Sequence, residues 1–225
     1  MSWISKKLRN FAGTQSKKVS RKNLYEFISS SASSLSRSNA DCLNIGSGGE
    51  IEAILRSYDL RLTSIDLDAN RQPDIVMDAC DLNFKDGTFD AVLMFEVLEH
   101  VPTPHLAVTE IHRVLKPGGH LYLSTPFVFG IHDAPHDYFR YTKFGLQFLF
   151  KEFDDLKILE RNSYLESVVV ILLRLGMAAD KSSQRVGVCF AVLSVVFAPL
   201  LFLGKLLVNS DSATSGYTMV ARKRT

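Results

Sequence analysis

The stretch LNIGSGGE, residues 43–50, decides the fold: an apolar run ends in glycines and leads into a segment that suits a helix. Cys42–Ile45 reads as a short strand and Glu50–Tyr58 as the helix after it. Glycine suits such a turn because it tolerates positive φ, and its missing Cβ lets a ligand approach the backbone. The turn also points the helix N-terminus at whatever is bound. Many α/β turns contain glycines, so the stretch gains its meaning from the acids downstream of it. Twenty residues after Gly46, a second strand, Leu62–Ile65, ends in Asp66, which is placed to accept hydrogen bonds from ribose hydroxyls. A third, Asp74–Met77, ends in Asp78, placed to reach an adenine amino group. Three consecutive strand ends thus offer groups to one ligand, at the carboxyl edge where open α/β sheets bind ligands.

The alternation continues. Phe89–Phe95 (FDAVLMF) reads as a buried strand. Pro104–Leu115 reads as a helix with Leu106, Ala107, Ile111, Val114 and Leu115 on one face and Pro104 in its first turn. Lys116-Pro117-Gly118-Gly119 stops it, and His120–Ser124 is the next strand. Thr142–Phe150 is a further helix, Leu156–Leu159 a sixth strand, and Tyr217–Ala221 a closing strand. Strand–helix alternation predicts an α/β fold with a parallel sheet covered on both faces.

Residues 41–125 resemble the class I S-adenosylmethionine-dependent methyltransferases, in the branch with small-molecule, saccharide and lipid-precursor acceptors. The strings that carry the resemblance are LNIGSGG, SIDLD, MDACDL, FDAVLMFEVLEHV and EIHRVLKPGGHLYLSTP. The resemblance implies a Rossmann-like, mostly parallel sheet with an antiparallel C-terminal strand, and S-adenosyl-L-methionine as cofactor. It places Gly46, Ser47 and Gly48 beside the methionine part, and Asp66, with Leu67 next to it, at the ribose. Asp78 and Ala79 fall at the adenine edge, and Glu96 at the mouth where the methyl group meets its acceptor. Two positions depart from the family pattern. Asn44 stands where an acid is common, so it would meet the cofactor's amino group by hydrogen bonding without charge. Glu50 stands where a third glycine is common. A dehydrogenase is the competing reading of a glycine turn plus an acid. RVLKPGG and the closing strand are methyltransferase features, and no nicotinamide half-site motif is present.

Methyl transfer needs alignment of the acceptor and, for a hydroxyl, removal of a proton. The candidates for that removal are His100, His132, His136 and Asp137. Three of them lie in HDAPHDYFRYT, residues 132–142, a polar and aromatic segment after the fifth strand that suits an acceptor wall. The alternative is that Asp137, Arg140 and Thr142 cap the next helix and pair locally. No NPPY-type string follows the fourth strand, which argues against methylation of base amino groups in nucleic acid.

Composition places the chain among globular proteins: 225 residues, 46% hydrophobic and 22% charged. Charge is uneven. Residues 1–25 carry Lys6, Lys7, Arg9, Lys17, Lys18, Arg21 and Lys22 without an acid, against a net +2 for the chain. A basic arm on an acidic body suits an anionic partner surface. Trp3, Ile4, Leu8 and Phe11 recur at helical spacing within it, as in a short amphipathic helix at a membrane surface, a frayed terminal arm, or a helix packed on the domain edge. Cys42, Cys80 and Cys189 show neither paired nor metal-ligand spacing, so no disulfide framework and no metal site is expected.

The expected organisation is a basic, Ser-rich arm or helix at 1–40, a methyltransferase core at 41–163, an apolar helical insert at 164–210, and a final strand and basic tail at 211–225. Val186–Gly204 is nineteen residues without a charge and would span about 28 Å as a helix. The closing strand must return to the same side, so a shallow or re-entrant hairpin over residues 165–208, kinked at Pro199, is preferred to a crossing. A soluble insert buried in a homodimer interface is the alternative. These readings give O-methylation of a saccharide, lipid-linked glycan or lipid precursor at the cytoplasmic face of a membrane. A non-catalytic binding module on the cofactor fold, and an RNA methyltransferase using the basic arm, stay open.

Overall fold

The computed structural model describes residues 3–175, 181–196, 204, 207, 208, 210 and 212–225. The elements are α1 (Trp3–Ser38), β1 (Asp41–Ile45), α2 (Gly49–Arg56), β2 (Arg61–Asp66), β3 (Ile75–Val76), β4 (Phe89–Phe95) and α3 (Pro104–Val114). They continue as β5 (Leu115–Pro126), α4 (Lys143–Leu149), β6 (Phe153–Glu160), α5 (Tyr164–Leu175), α6 (Lys181–Val196) and β7 (Gly216–Lys223). The seven strands form one sheet in the order β3-β2-β1-β4-β5-β7-β6.

β1 pairs in parallel with β2 and β4, β2 with β3, and β4 with β5. β7 is antiparallel, as the family resemblance implies. Its partners on β6 descend as β7 advances: Thr218 Oγ1 donates to the Leu159 carbonyl, Arg222 pairs with Asp155, and Arg224 with Asp154. The central strands carry continuous apolar runs because both faces are covered. Leu43, Leu93, Met94 and Leu121 are fully buried, as is Ile111 of α3.

Two expected boundaries move. LKPGG does not lie outside the strand: α3 ends at Val114, and β5 starts at Leu115. Leu115 pairs with Phe89, and a bulge separates that pair from the His120–Ala91 register. Gly119 sits against backbone there; an added Cβ would lie 2.9 Å from the Lys116 carbonyl oxygen and 3.0 Å from that of Asp90.

Of the arm and helix readings of the N-terminus, the structure has a helix, and the Ser-rich segment is part of its 36 residues. Ser31 and Ser38 turn their hydroxyls back onto the carbonyls of Phe27 and Leu35, at 2.8 and 2.9 Å. That back-bonding satisfies small polar side chains inside a helix. Ile28, Ala32 and Leu35 recur at spacings of four and three and are buried, and Phe27 meets the Phe95 ring edge-on at 6.0 Å. The C-terminal half of α1 is therefore core. Ile28→Ala is expected to cost about 2–4 kcal/mol, read as a fall in Tm of roughly 5–12 °C by calorimetry. The side chains of Trp3, Ile4 and Leu8 lie outside the described residues.

The chain divides into two compact units. One comprises residues 25–126, 132–159 and 217–225 and holds almost all of the sheet. The other comprises 1–24, 127–131 and 160–216. Within the second, α5 packs on α6, the Asn162 side chain donates to the Val19 carbonyl at 2.9 Å, and the Arg174 guanidinium lies 3.9 Å from the centroid of the Phe129 ring. Among the described residues no helix is long and apolar enough to cross a membrane. Residues 197–203 of the expected apolar helix, including Pro199, lie outside the described residues.

Candidate active site

The glycine turn joins β1 to α2 at the carboxyl edge of the sheet. Gly46, Gly48 and Gly49 all have positive φ, at 96°, 81° and 70°. At Gly46 a Cβ would overlap Val97 Cγ2, so the backbone there runs flush against the segment leaving β4. The Gly46 N–H donates to the Ile65 carbonyl at 2.8 Å, tying the turn to β2.

Asp66 ends β2. One of its oxygens accepts the Ser47 N–H at 2.8 Å and the other the Asp68 N–H at 2.9 Å. Each carboxylate oxygen has a second lone pair, so the group is held in place and can still accept from two hydroxyls. Leu67 beside it is 71% exposed, an apolar face next to that carboxylate. Asp78 is exposed and accepts the Cys80 N–H at 2.8 Å, while Ala79 is buried.

Asn44 sits directly beneath the glycine turn. It is buried, and its amide donates to the Gly46 carbonyl at 2.7 Å and reaches Ser64 Oγ at 3.3 Å. It braces the turn from below. Glu50 lies on α2 and accepts a hydrogen bond from the Tyr25 hydroxyl.

Glu52, which the sequence does not single out, pins the turn. It is 7% exposed. One oxygen accepts from Ser47 Oγ at 2.6 Å and from the Gly48 N–H; the other accepts from Ser64 Oγ at 2.9 Å and Arg56 Nε at 2.8 Å. Burial alone would raise its pKa, but the hydrogen bonds from Ser47, Gly48, Ser64 and Arg56 outweigh it and hold the carboxyl below its ordinary value. The consequence is chemical. A carboxylate already occupies the N-terminus of α2, so a pyrophosphate there would meet a fixed negative charge. The turn suits a cofactor without phosphate, which disfavours the dinucleotide reading.

Glu96 follows β4 in a left-handed conformation, φ 56°, which is strained for a residue with a Cβ. Its N–H donates to the Ser124 carbonyl at 3.0 Å and its carboxylate accepts from Ser124 Oγ at 2.9 Å, which anchors it to β5. Val97, next in sequence, is the residue that abuts Gly46. Glu96 therefore stands beside the cofactor turn.

Three residues on, Glu99 is fully buried, and burial pushes its pKa up. His100 and His132 converge on it, each with Nε2 3.7 Å from Glu99 Oε1 and with their rings 4.9 Å apart. The facing Glu99 carboxylate raises the His132 pKa. Asp137 lies under the loop, not in the cluster: it accepts the His132 N–H at 2.9 Å and two contacts from Arg140, at 2.6 and 2.7 Å. The Arg140 guanidinium, opposed by burial, drives the Asp137 carboxyl far below the carboxylate range, so it is a brace and a weak base. His136 is exposed; its ring meets the Tyr138 hydroxyl at 3.0 Å and its carbonyl faces His100. Thr142 caps α4 by accepting the Gly145 N–H at 3.1 Å. The local-pairing reading thus holds for Asp137, Arg140 and Thr142, whereas His100 and His132 are brought together around Glu99.

Residues 43–123 match the family model described as a methyltransferase domain. A ubiquinone biosynthesis O-methyltransferase of Dechloromonas aromatica is 38% identical over 73 residues, covering 25% of this chain and 32% of that protein. Another, from Xanthomonas oryzae pv. oryzae, is 56% identical over 39 residues, covering 17% of this chain and 16% of that protein. The chain thus spans about a third or less of the curated relatives it matches. Solved structures share the fold: a putative sarcosine dimethylglycine methyltransferase of Galdieria sulphuraria (TM-score 0.58, 16% identity, 89% of this chain and 84% of that one) and a Haemonchus contortus phosphoethanolamine N-methyltransferase with S-adenosyl-L-methionine (0.53, 18%, 82% and 48%). So does the [4+2]-cyclase SpnF (0.55, 18%, 88% and 80%), so the fold alone does not fix the chemistry. Residues 43–123 thus carry a methyltransferase domain, and the seven-stranded sheet around them has the fold of the class I S-adenosylmethionine-dependent methyltransferases.

Proposed function

We propose that the protein methylates a hydroxyl of a small molecule, a saccharide or lipid precursor, at the cytoplasmic face of a membrane. The observation that carries this is the placement of Glu99 and His100, two and three residues beyond the Val97 that touches the glycine turn, with His132 brought beside them. Bound S-adenosylmethionine supplies an electrophilic methyl on a sulfonium sulfur. An acceptor oxygen gives its lone pair to that carbon as the carbon–sulfur bond breaks toward sulfur, and the hydroxyl proton leaves into the cluster. An amine acceptor that reacts as the free base would have less need of such a group. The overlap with relatives named O-methyltransferases supports the same acceptor class. In the second unit, α6 exposes Val186, Val192, Leu193 and Val196, and Leu207 is exposed beyond it. Such a surface supports attachment to lipid.

Calorimetry tests the cofactor. Wild type is expected to bind S-adenosylmethionine, and Asp66→Ala to bind it on the order of 100-fold more weakly, the loss of hydrogen bonds to a charged acceptor. Undiminished binding in Asp66→Ala would sink the cofactor assignment. Labelled methyl transfer into total lipid and glycan extracts tests the acceptor, and recovery of the protein wholly in the soluble fraction would count against the membrane.

A further inference from the structure

Glu99 Oε1 is buried, and among the described residues it accepts no hydrogen bond. A buried carboxylate oxygen left alone is costly and calls for a partner. Two imidazole nitrogens face it, the Nε2 atoms of His100 and His132, each at 3.7 Å. That is too long for an N–H···O hydrogen bond, which runs about 2.7–3.2 Å.

The other nitrogen of each ring explains what the facing one carries. His100 Nδ1 lies 2.5 Å from the His136 carbonyl oxygen, which can only accept, so this nitrogen holds the proton. His132 Nδ1 lies 3.4 Å from Asp137 Oδ2, whose group is fixed by Arg140. With Nδ1 protonated, a neutral ring presents its Nε2 lone pair toward Glu99 Oε1. A positive charge in the gap, either a proton on one of these groups or a metal ion, makes the convergence favourable.

We propose that Glu99, His100 and His132 bind one divalent transition-metal ion of the Zn²⁺, Co²⁺ or Mn²⁺ class through Glu99 Oε1 and the two Nε2 atoms. The ligand atoms lie within 4.8 Å of one another. A tetrahedral or octahedral ion with bonds of about 2.1 Å needs separations of about 3.0–3.4 Å. The Glu99–imidazole separations of 3.7 Å exceed this by about 0.3–0.7 Å, so binding an ion requires the two partly exposed rings to turn inward. Two imidazoles and one carboxylate form a set that suits a transition ion, leaves coordination positions open, and is a poor match for Ca²⁺ or Mg²⁺. The outer partners are those of a metal centre: a backbone carbonyl orients one ring and a carboxylate the other. Thr125 Oγ1, 3.3 Å from Glu99 Oε2, steadies the remaining oxygen.

The site stands on its own geometry and also deepens the proposed hydroxyl methylation. A bound cation acidifies a hydroxyl that coordinates it. The two routes differ in where the proton goes: the metal-free cluster takes it directly, whereas with both Nε2 atoms on a cation the coordinated hydroxyl would be acidified and its proton would leave to water.

The test uses the full chain, stripped with a chelator and titrated with Co²⁺ by visible absorption and with Zn²⁺ by calorimetry. One ion per chain is expected, with affinity reduced on the order of 100-fold or more in His132→Ala and about 10–100-fold in Asp137→Asn, which keeps the ligands and loses the orienting charge. Glu99→Gln is expected to abolish binding; circular dichroism on each variant separates loss of the site from loss of the fold. Absence of stoichiometric binding, or equal affinity in wild type and folded His132→Ala, overturns the site. S-adenosylmethionine affinity is measured on the same samples. Cofactor binding without metal binding overturns the metal site alone, and metal binding without cofactor binding overturns the methyl-transfer reading alone.

Discussion

Glu52→Ala is expected to destabilise the protein by about 2–4 kcal/mol, because it removes a buried carboxylate from the four donors it gathers. The Ser47 and Ser64 hydroxyls, the Gly48 N–H and the Arg56 guanidinium all converge on this one group. Arg56 keeps Asp74, at 3.0 Å, and is half-exposed, so the loss stays below that of a fully buried ion pair. Denaturant unfolding measures it; a change below about 0.5 kcal/mol, the range of ordinary surface substitutions, would show that the turn does not depend on this carboxylate. The pH dependence carries a definite sign. The folded-state pKa of Glu52 lies below its ordinary value, so its contribution is fully present above about pH 4.5. It is lost as pH falls from there through the folded-state value. The stability difference between wild type and Glu52→Ala should therefore shrink on acidification across that window, and a difference that grew instead would contradict the hydrogen-bonding scheme.

Gly46→Val is expected to cost the most in cofactor affinity, on the order of 100-fold or more, from two separable causes. The residue has φ 96°, which a β-branched side chain resists. Its Cβ would also overlap Val97 Cγ2, pushing the turn away from the segment that carries Glu96. Gly49→Ala separates the causes. Gly49 has φ 70°, but a Cβ there would meet nothing within 4 Å. Gly49→Ala should therefore show only the conformational part, about 1 kcal/mol, with cofactor affinity changed a few-fold. Comparable losses in the two variants, measured by calorimetry, would mean that backbone strain rather than the Val97 contact sets the turn.

The proposed cofactor half of the site is legible in the sequence because it is local. Its groups lie at or just beyond strand ends, strands announce themselves by apolar runs, and a glycine turn signals the first of them. Asp66 and Asp78 come by counting: Asp66 is the last residue of β2, and Asp78 lies two residues beyond β3. Direction is not legible in the same way. Asn44 and Glu52 belong to the turn but face inward and brace it, and nothing in NIGSGGEIE tells which way a side chain on β1 or α2 turns. The Ser-rich N-terminus reads as an arm or a helix, because serine has low helix propensity; burial of Ile28, Ala32 and Leu35 against the core accompanies the helix.

The second half of the site is a tertiary product. Glu99 and His100 sit in a short turn after β4, and His132 lies on a loop after β5, more than thirty residues away. Parallel pairing of β4 with β5 brings the two strand ends side by side, and the Asp137–Arg140 pair then sets the height of His132. The sequence by itself determined the strand order signals, the glycine turn and its acids, since period and turn chemistry act over a few residues. Only the tertiary structure decided which acid is a brace, which is a ligand, and that two histidines share one buried oxygen, because burial and convergence depend on neighbours the chain supplies from far away.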